Sequence, residues 1–363
     1  MIDEPERYWD IALKETAHVI ATKVACLRQT PSVLIICGLH NKMLAEYIML
    51  EAQRVGARPY VWTFDEEFFL KRLETAEKLT TVFLDNARSL ISKAHAVVWL
   101  SQFEDIERFP ANVRESIYSF WDAVHEAVKL KPRLFVNLPS PKQVRTMRIN
   151  YLEFLAAFIN GVKVDYSKLR ETGLKVEAML KGKKSIHVHH MNCTNLTFSI
   201  EGRIVNVEAG TLEDCFTSGQ ECGIDIPAGE TFVAPIETSA EGVLVVDEHR
   251  EHGLKKLILR FKNGRIVDLK AERGSKNLEK LLEEAEGDKD KISELGIGTN
   301  IGVKPVGWSI YDEKALGTAH IAIGNNIDMG GANKASIHLD FVLNKPTITA
   351  DDEPVMKKGQ LIE

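Results

Sequence analysis

Between residues 5 and 139, short apolar runs alternate with amphipathic stretches of helix length. Ser32-Val33-Leu34-Ile35-Ile36-Cys37-Gly38 is apolar almost throughout, the pattern of a strand buried on both faces. Pro59–Phe64, Ala94–Leu100 and Arg133–Pro139 read as further strands. Helical spacing fills the gaps: about 5–28, 41–55, 66–93 and 110–129. Strands that alternate with helices predict a mainly parallel sheet with helices on its faces. The turn after the first run reads Cys37-Gly38-Leu39-His40-Asn41-Lys42. It has neither the GxGxxG nor the GxxxxGK[ST] spacing that lets a backbone wrap phosphates. This part, residues 1–182, is therefore expected to be a structural α/β domain that forms a cleft wall and an oligomer contact. His40 and Asn137, at strand ends, are its weakest candidates for touching a ligand.

Two more helical stretches, about 143–160 and 167–182, lead to a change of pattern at Lys181-Gly182-Lys183-Lys184. Beyond it, short strands and turns dominate, with one helix near 276–286. Leu257–Phe261 and Arg265–Leu269 flank Asn263-Gly264, a strong signal for a two-residue hairpin. Residues 183–363 are therefore expected to form a β-rich α+β domain.

Charge and cysteines narrow the function classes. The formal net charge is −6 and no basic run is present, which speaks against a nucleic-acid partner. No apolar run approaches the roughly 20 residues of a membrane helix, so no membrane role is expected. The first residues, Met1-Ile2-Asp3-Glu4, lack the plan of a signal peptide. Five cysteines, Cys26, Cys37, Cys193, Cys215 and Cys222, are scattered and make no CxxC. They read as reduced thiols of a cytoplasmic protein.

The chemistry concentrates in the second half. In Ser336–Leu343 polar and apolar residues alternate as in a strand, so His338 and Asp340 project to one side. An imidazole beside a carboxylate suits a divalent metal, and it equally suits a mutual hydrogen bond. His320 lies in a second short strand, Gly317–Gly324, that runs into a glycine turn. Glu230 follows the turn Pro227-Ala228-Gly229, and Glu294 opens the glycine-rich Glu294-Leu295-Gly296-Ile297-Gly298. Each alone is most simply a core histidine or a solvated glutamate. Together, Glu230, Glu294, His320, His338 and Asp340 read as one metal site. Glu237 is a candidate supporting partner, and Gly296, Gly298 and Gly302 would allow close backbone approach. His187 and His189 read as surface or cleft-lining residues, and His249 and His252 as solvated.

Four segments in order carry a family resemblance: Pro227–Pro235, Glu294–Asn300, Asp312–Gly324 and His338-Leu339-Asp340. Together they resemble the M29 metallo-aminopeptidases of the thermophilic type. The resemblance covers most of residues 183–363 and is only general before them. It implies two adjacent divalent metals, zinc or cobalt, held by Glu230, Glu294, His320, His338 and Asp340. It also implies removal of the N-terminal residue of short peptides, with Glu294 bridging and Glu294 or Glu230 handling protons, in a homodimer. One position departs from the family. A tyrosine is expected seven residues after the histidine matching His320, and this chain has Ile327 there. The fold also resembles 2,5-dihydroxypyridine dioxygenase, in which His320, His338 and Asp340 would form an iron(II) triad. A non-catalytic metal-binding relative is the third expectation.

Overall fold

The computed structural model describes residues 4–75, 79–104, 109, 111–129, 131–212 and 223–362. The chain divides into two compact units. The first comprises residues 1–146, 150–163 and 210–227; the second comprises 147–149, 164–209 and 228–363.

The first unit is the expected α/β fold. Strands β1 (Ser32–Gly38), β2 (Arg58–Phe64), β3 (Ala96–Leu100) and β4 (Arg133–Val136) form a parallel sheet in the order β2-β1-β3-β4. Every residue of β1 is buried, as its continuous apolar run requires of a strand covered on both faces. One side packs on an aromatic cluster that includes Trp62, Phe64, Phe69, Phe103, Phe120 and Trp121. A fifth parallel strand, Gly223–Ile226, comes from far along the chain and lies beside β4. Asn137 Nδ2 donates to Asp225 Oδ1 at 3.1 Å, so this residue, a candidate ligand contact on sequence, has a partner within the sheet.

The second unit is built from two antiparallel sheets. Its strands are β5 (Ser185–His189), β6 (Asn195–Ser199), β7 (Val205–Glu208), β9 (Glu230–Val233), β10 (Glu241–His249), β11 (Leu254–Lys262) and β12 (Arg265–Lys270). They continue with β13 (Ile292–Gly298), β14 (Thr318–Gly324), β15 (His338–Asn344), β16 (Thr347–Ala350), β17 (Glu353–Lys357) and β18 (Gln360–Leu361). β8 is the Gly223–Ile226 strand of the first unit. One sheet has eight strands in the order β12-β11-β10-β6-β5-β16-β17-β18. The other has five, β15-β14-β13-β9-β7. The Asn263-Gly264 turn joins β11 to β12 with both residues at positive φ, as a two-residue hairpin demands.

The two sheets share one core. Val188, Leu196, Leu244 and Leu259 from the larger sheet meet Leu295, Ile297, Ile321 and Phe341 from the smaller. Two segments fall differently from a single cut at residue 182. Helix Tyr166–Leu180 packs on β7 and β9 of the second unit, with Val176 and Leu180 in its core. Residues 210–227 return to the first unit. Both follow from long-range packing that local spacing does not encode. Cys26, Cys37 and Cys193 form no disulfide among the described residues, and Cys215 and Cys222 lie outside them. No helix among the described residues is long and apolar enough to cross a membrane.

Candidate metal centre

The smaller sheet has two chemically different faces. Residues on one face alternate with those on the other. Leu295, Ile297, Ala319, Ile321, Ile323, Phe341 and Leu343 point into the core. The intervening positions carry the ionisable groups. The register places Glu294 opposite Ala322 and Ala322 opposite Asp340, with Gly298 opposite Glu230 and Gly324 opposite His338. His320 is opposite Gly296. All five residues read as metal ligands thus lie on one face, contributed by β9, β13, β14 and β15.

They converge closely. His320 Nε2 is 3.3 Å from Glu294 Oε1, 3.6 Å from Asp340 Oδ1 and 3.9 Å from Glu230 Oε2. His338 Nε2 is 3.2 Å from Glu294 Oε2 and 3.2 Å from Asp340 Oδ1. His338 Nδ1 donates to the Asn325 carbonyl at 2.8 Å, which leaves Nε2 of the neutral ring as the inward lone pair. Gly296 is needed for this packing. A Cβ there would stand 2.0 Å from His320 Cε1, so the imidazole lies directly over its backbone.

Two further residues enter the centre that sequence reasoning did not single out. Glu313 and Lys314 precede β14 and are buried. Lys314 Nζ donates to Glu230 Oε1 at 2.6 Å and lies 3.2 Å from Glu313 Oε1 and 3.8 Å from Glu208 Oε1. The run Asp312-Glu313-Lys314 carried a signal only as part of the family segment, because three charged residues in a row normally mark solvent. The run is held by lacing between loops. Asn300 N donates to the Lys314 carbonyl, Leu316 N to the Asn300 carbonyl and Thr299 N to the Gly229 carbonyl, each at 2.9 Å.

Burial and mutual charge set the protonation. Desolvation pushes the Glu313 carboxyl well above the ordinary range and also raises Glu230, against the pull of Lys314 and His320. Burial works against the charged form of Glu294, but hydrogen bonds from His320 and His338 outweigh it and lower its pKa. Asp340 is depressed likewise: His338 overcomes its desolvation. For the histidines, desolvation favours the neutral ring, yet the surrounding carboxylates prevail. They raise His320 to about 10 and His338 to about 12.

The donor set fits a divalent cation. Glu230 Oε2 is buried with no hydrogen-bond partner. Four carboxylates and two imidazoles offer one atom each in three overlapping groups: Glu230–Glu294–His320, Glu313–His320–Asp340 and Glu294–His338–Asp340. Within each group these atoms lie within 4.8 Å of one another. Packing this many carboxylates together is unfavourable unless a cation joins them.

The remaining candidates have other partners. Glu237 is buried and pairs with Arg203 Nη2 at 2.5 Å. It also accepts from Ala332 N at 2.6 Å and from Asn326 Nδ2 at 3.4 Å. It anchors the loop leading to His338, while Asn326 Nδ2 also binds the Ser293 carbonyl next to Glu294. His249 is buried, correcting the solvated reading. Its ring stacks on His252 with centroids 5.0 Å apart and meets Phe341 at 5.7 Å, because the end of β10 packs against β15. His187 Nε2 pairs with Asn195 Oδ1 at 2.7 Å and, like His189, is in none of the donor groups. Ile327 begins a short turn, Ile327–Met329, and is about half exposed.

The family model described as thermophilic metalloprotease (M29) matches residues 134–361, well over half of the chain. Aminopeptidase AmpS of Bacillus subtilis (strain 168) is 29% identical over 195 residues, covering 46% of each protein. Aminopeptidase T of Thermus thermophilus is 24% identical over 172 residues, covering 40% of this chain and 41% of the relative. The aligned part thus spans less than half the length of these curated relatives. The solved structure of wild-type AmpT from Thermus thermophilus superposes with a TM-score of 0.77 at 18% identity, covering 97% of this chain and 99% of that one. The structure of 2,5-dihydroxypyridine dioxygenase from Pseudomonas putida KT2440 gives a TM-score of 0.66 at 18% identity, with 97% of each chain covered. At such identities these two structures show a shared fold.

Proposed function

The chain belongs to the thermophilic metalloprotease (M29) family, and on that premise we propose that it is a metal-dependent aminopeptidase that removes the N-terminal residue of short peptides. The observation that carries the reading is the convergence of Glu230, Glu294, His320, His338 and Asp340 on one sheet face. The family is described as a metalloprotease, which implies a divalent ion. We assign two, zinc or cobalt, to this face. Glu294 turns Oε1 to His320 and Oε2 to His338, so it would be the residue to be shared. Glu230 and His320 serve on one side of it, and His338 and Asp340 on the other.

When bound, such ions polarise a peptide carbonyl and lower the pKa of water. The protein's own groups have separate tasks. The Asn325 carbonyl fixes the His338 tautomer, and Gly296 admits the His320 ring. Proton handling was expected of Glu230 or Glu294. Glu230 Oε1 is tied to Lys314, and both oxygens of Glu294 face histidines. Glu230 Oε2 and Glu313 Oε2 are both buried with no hydrogen-bond partner, so we assign the proton to one of these two carboxylates. A homodimer and a cytoplasmic setting are part of the same proposal, supported by the family resemblance and by cysteines that form no CxxC.

The iron(II) dioxygenase reading has the shared fold in its favour. It has less support, because a triad of His320, His338 and Asp340 leaves Glu230, Glu294 and Glu313 packed around it without a task. A non-catalytic metal-binding relative would use the same donors, and the activity measurement separates it from the proposal. The test is metal analysis of protein purified without chelator, followed by hydrolysis of aminoacyl anilides as metal is restored. Activity that is absent without metal and returns with zinc or cobalt supports the proposal. Iron content with no peptidase activity under any metal would overturn it.

A further inference from the structure

Lys314 divides the three donor groups. Its Nζ is 2.6 Å from Glu230 Oε1 and 3.2 Å from Glu313 Oε1, and its side chain is 1% exposed. The groups Glu230–Glu294–His320 and Glu313–His320–Asp340 therefore each contain a carboxylate already engaged by an ammonium. The group Glu294–His338–Asp340 contains none.

We propose that Lys314 makes the centre asymmetric: Glu294, His338 and Asp340 take one divalent ion tightly, and the donors around Glu230 take a second weakly and exchangeably. This rests on the two-metal reading above and adds a positioning residue to it. Two cations in one nest of carboxylates repel, and the repulsion is stronger in a buried site than in water. Lys314 also occupies one of the two oxygens of Glu230, so only Oε2 stays available to an incoming ion.

The ammonium is built in and cannot easily swing away. The Lys314 carbonyl accepts from Asn300 N at 2.9 Å, and Asn300 bridges to Ala315. The segment lies close against β13 because residue 298 is glycine. A Cβ there would stand 2.1 Å from the Ala315 carbonyl oxygen and 2.6 Å from that of Glu313. The same backbone placement holds Lys314 at Glu230 and brings Glu313 into the donor set.

A lysine that merely neutralised buried acids would affect folding stability and leave the two binding steps alike. The test is calorimetric titration of metal-free protein with zinc alone, for the wild type, Lys314→Met and Lys314→Gln. In the wild type, two steps separated by about a hundredfold or more are expected. In the variants, the second step should tighten by about tenfold or more, with the first nearly unchanged. Should the variants fail to fold without metal, the wild-type isotherm still decides. Two equal steps in the wild type overturn the asymmetry and leave the metalloenzyme reading standing. A second step that is unchanged or weaker in both variants does the same. No binding of zinc by the wild type overturns both.

Discussion

In Gly296→Ala, the added methyl would stand 2.0 Å from His320 Cε1 and 2.4 Å from Nε2. Carbon atoms pack at about 3.5–4.0 Å, so something must yield by about 1.5 Å. Strand β13 cannot retreat. It is hydrogen-bonded on both sides, to β9 and β14, and Leu295 and Ile297 on its far face are fully buried. The imidazole must move. Metal–ligand distances tolerate only about 0.2 Å, so the displacement takes His320 out of any shared coordination. Overpacking of this kind costs about 1–3 kcal/mol, less than the total stability of an ordinary domain, so the variant should fold. Zinc or cobalt affinity should fall by about a hundredfold, with a modest drop in melting temperature. Calorimetric titration and thermal denaturation by circular dichroism check both. Wild-type affinity with an unchanged melting temperature would refute the placement of His320 over Gly296 and its role as a ligand.

Further predictions concern protons, loops and ligands. In the metal-free protein the surrounding carboxylates overcome desolvation and push His320 and His338 well above the ordinary imidazole range, which favours the protonated rings at neutral pH. A metal needs the neutral rings and must displace those protons, so affinity should rise with pH, by about tenfold per unit for each proton released. Titration between pH 6 and 8, in buffers of different ionisation heat, should show proton release; a flat profile would contradict the assignment. Asn300→Ala removes the bond from Nδ2 to the Ala228 carbonyl at 2.6 Å and frees the Gly302 and Val303 amides, and should cost about 3 kcal/mol in urea unfolding. Arg203→Met leaves Glu237 buried without its cation and should destabilise by about 3 kcal/mol, read by the same unfolding curve. His338→Ala or Asp340→Ala should abolish metal binding and activity while the near-ultraviolet spectrum of the tryptophan-rich first unit persists; full activity in either would sink the ligand assignment.

The candidate donors drew attention because their signals are local. His338 and Asp340 share a face by strand alternation alone, and the register places them on the sheet that carries His320 and Glu294. The continuous apolar run of β1 announced a strand covered on both sides, and Asn263-Gly264 announced its hairpin. Other residues gave no local sign. His249 sits in a charged stretch, and its burial depends on β10 meeting β15 across the core. Glu237, a candidate supporting partner on sequence, pairs with Arg203 and anchors the loop before His338, contacts that local spacing does not show.

The sequence by itself determined the alternation of elements and pointed to five candidate donors, since strand and helix patterns rest on spacing within a few residues. Only the tertiary structure decided which strands became neighbours. It carried residues 223–226 back to the first sheet and set helix Tyr166–Leu180 on the second unit. It also decided what surrounds the donors. A buried Glu313 and a buried Lys314 were written as part of an ordinary charged run, and their burial follows from loop lacing to Asn300 and close approach at Gly298. Charge in a sequence is a count, whereas its energetic effect depends on distance and dielectric, and those exist only once the chain has folded.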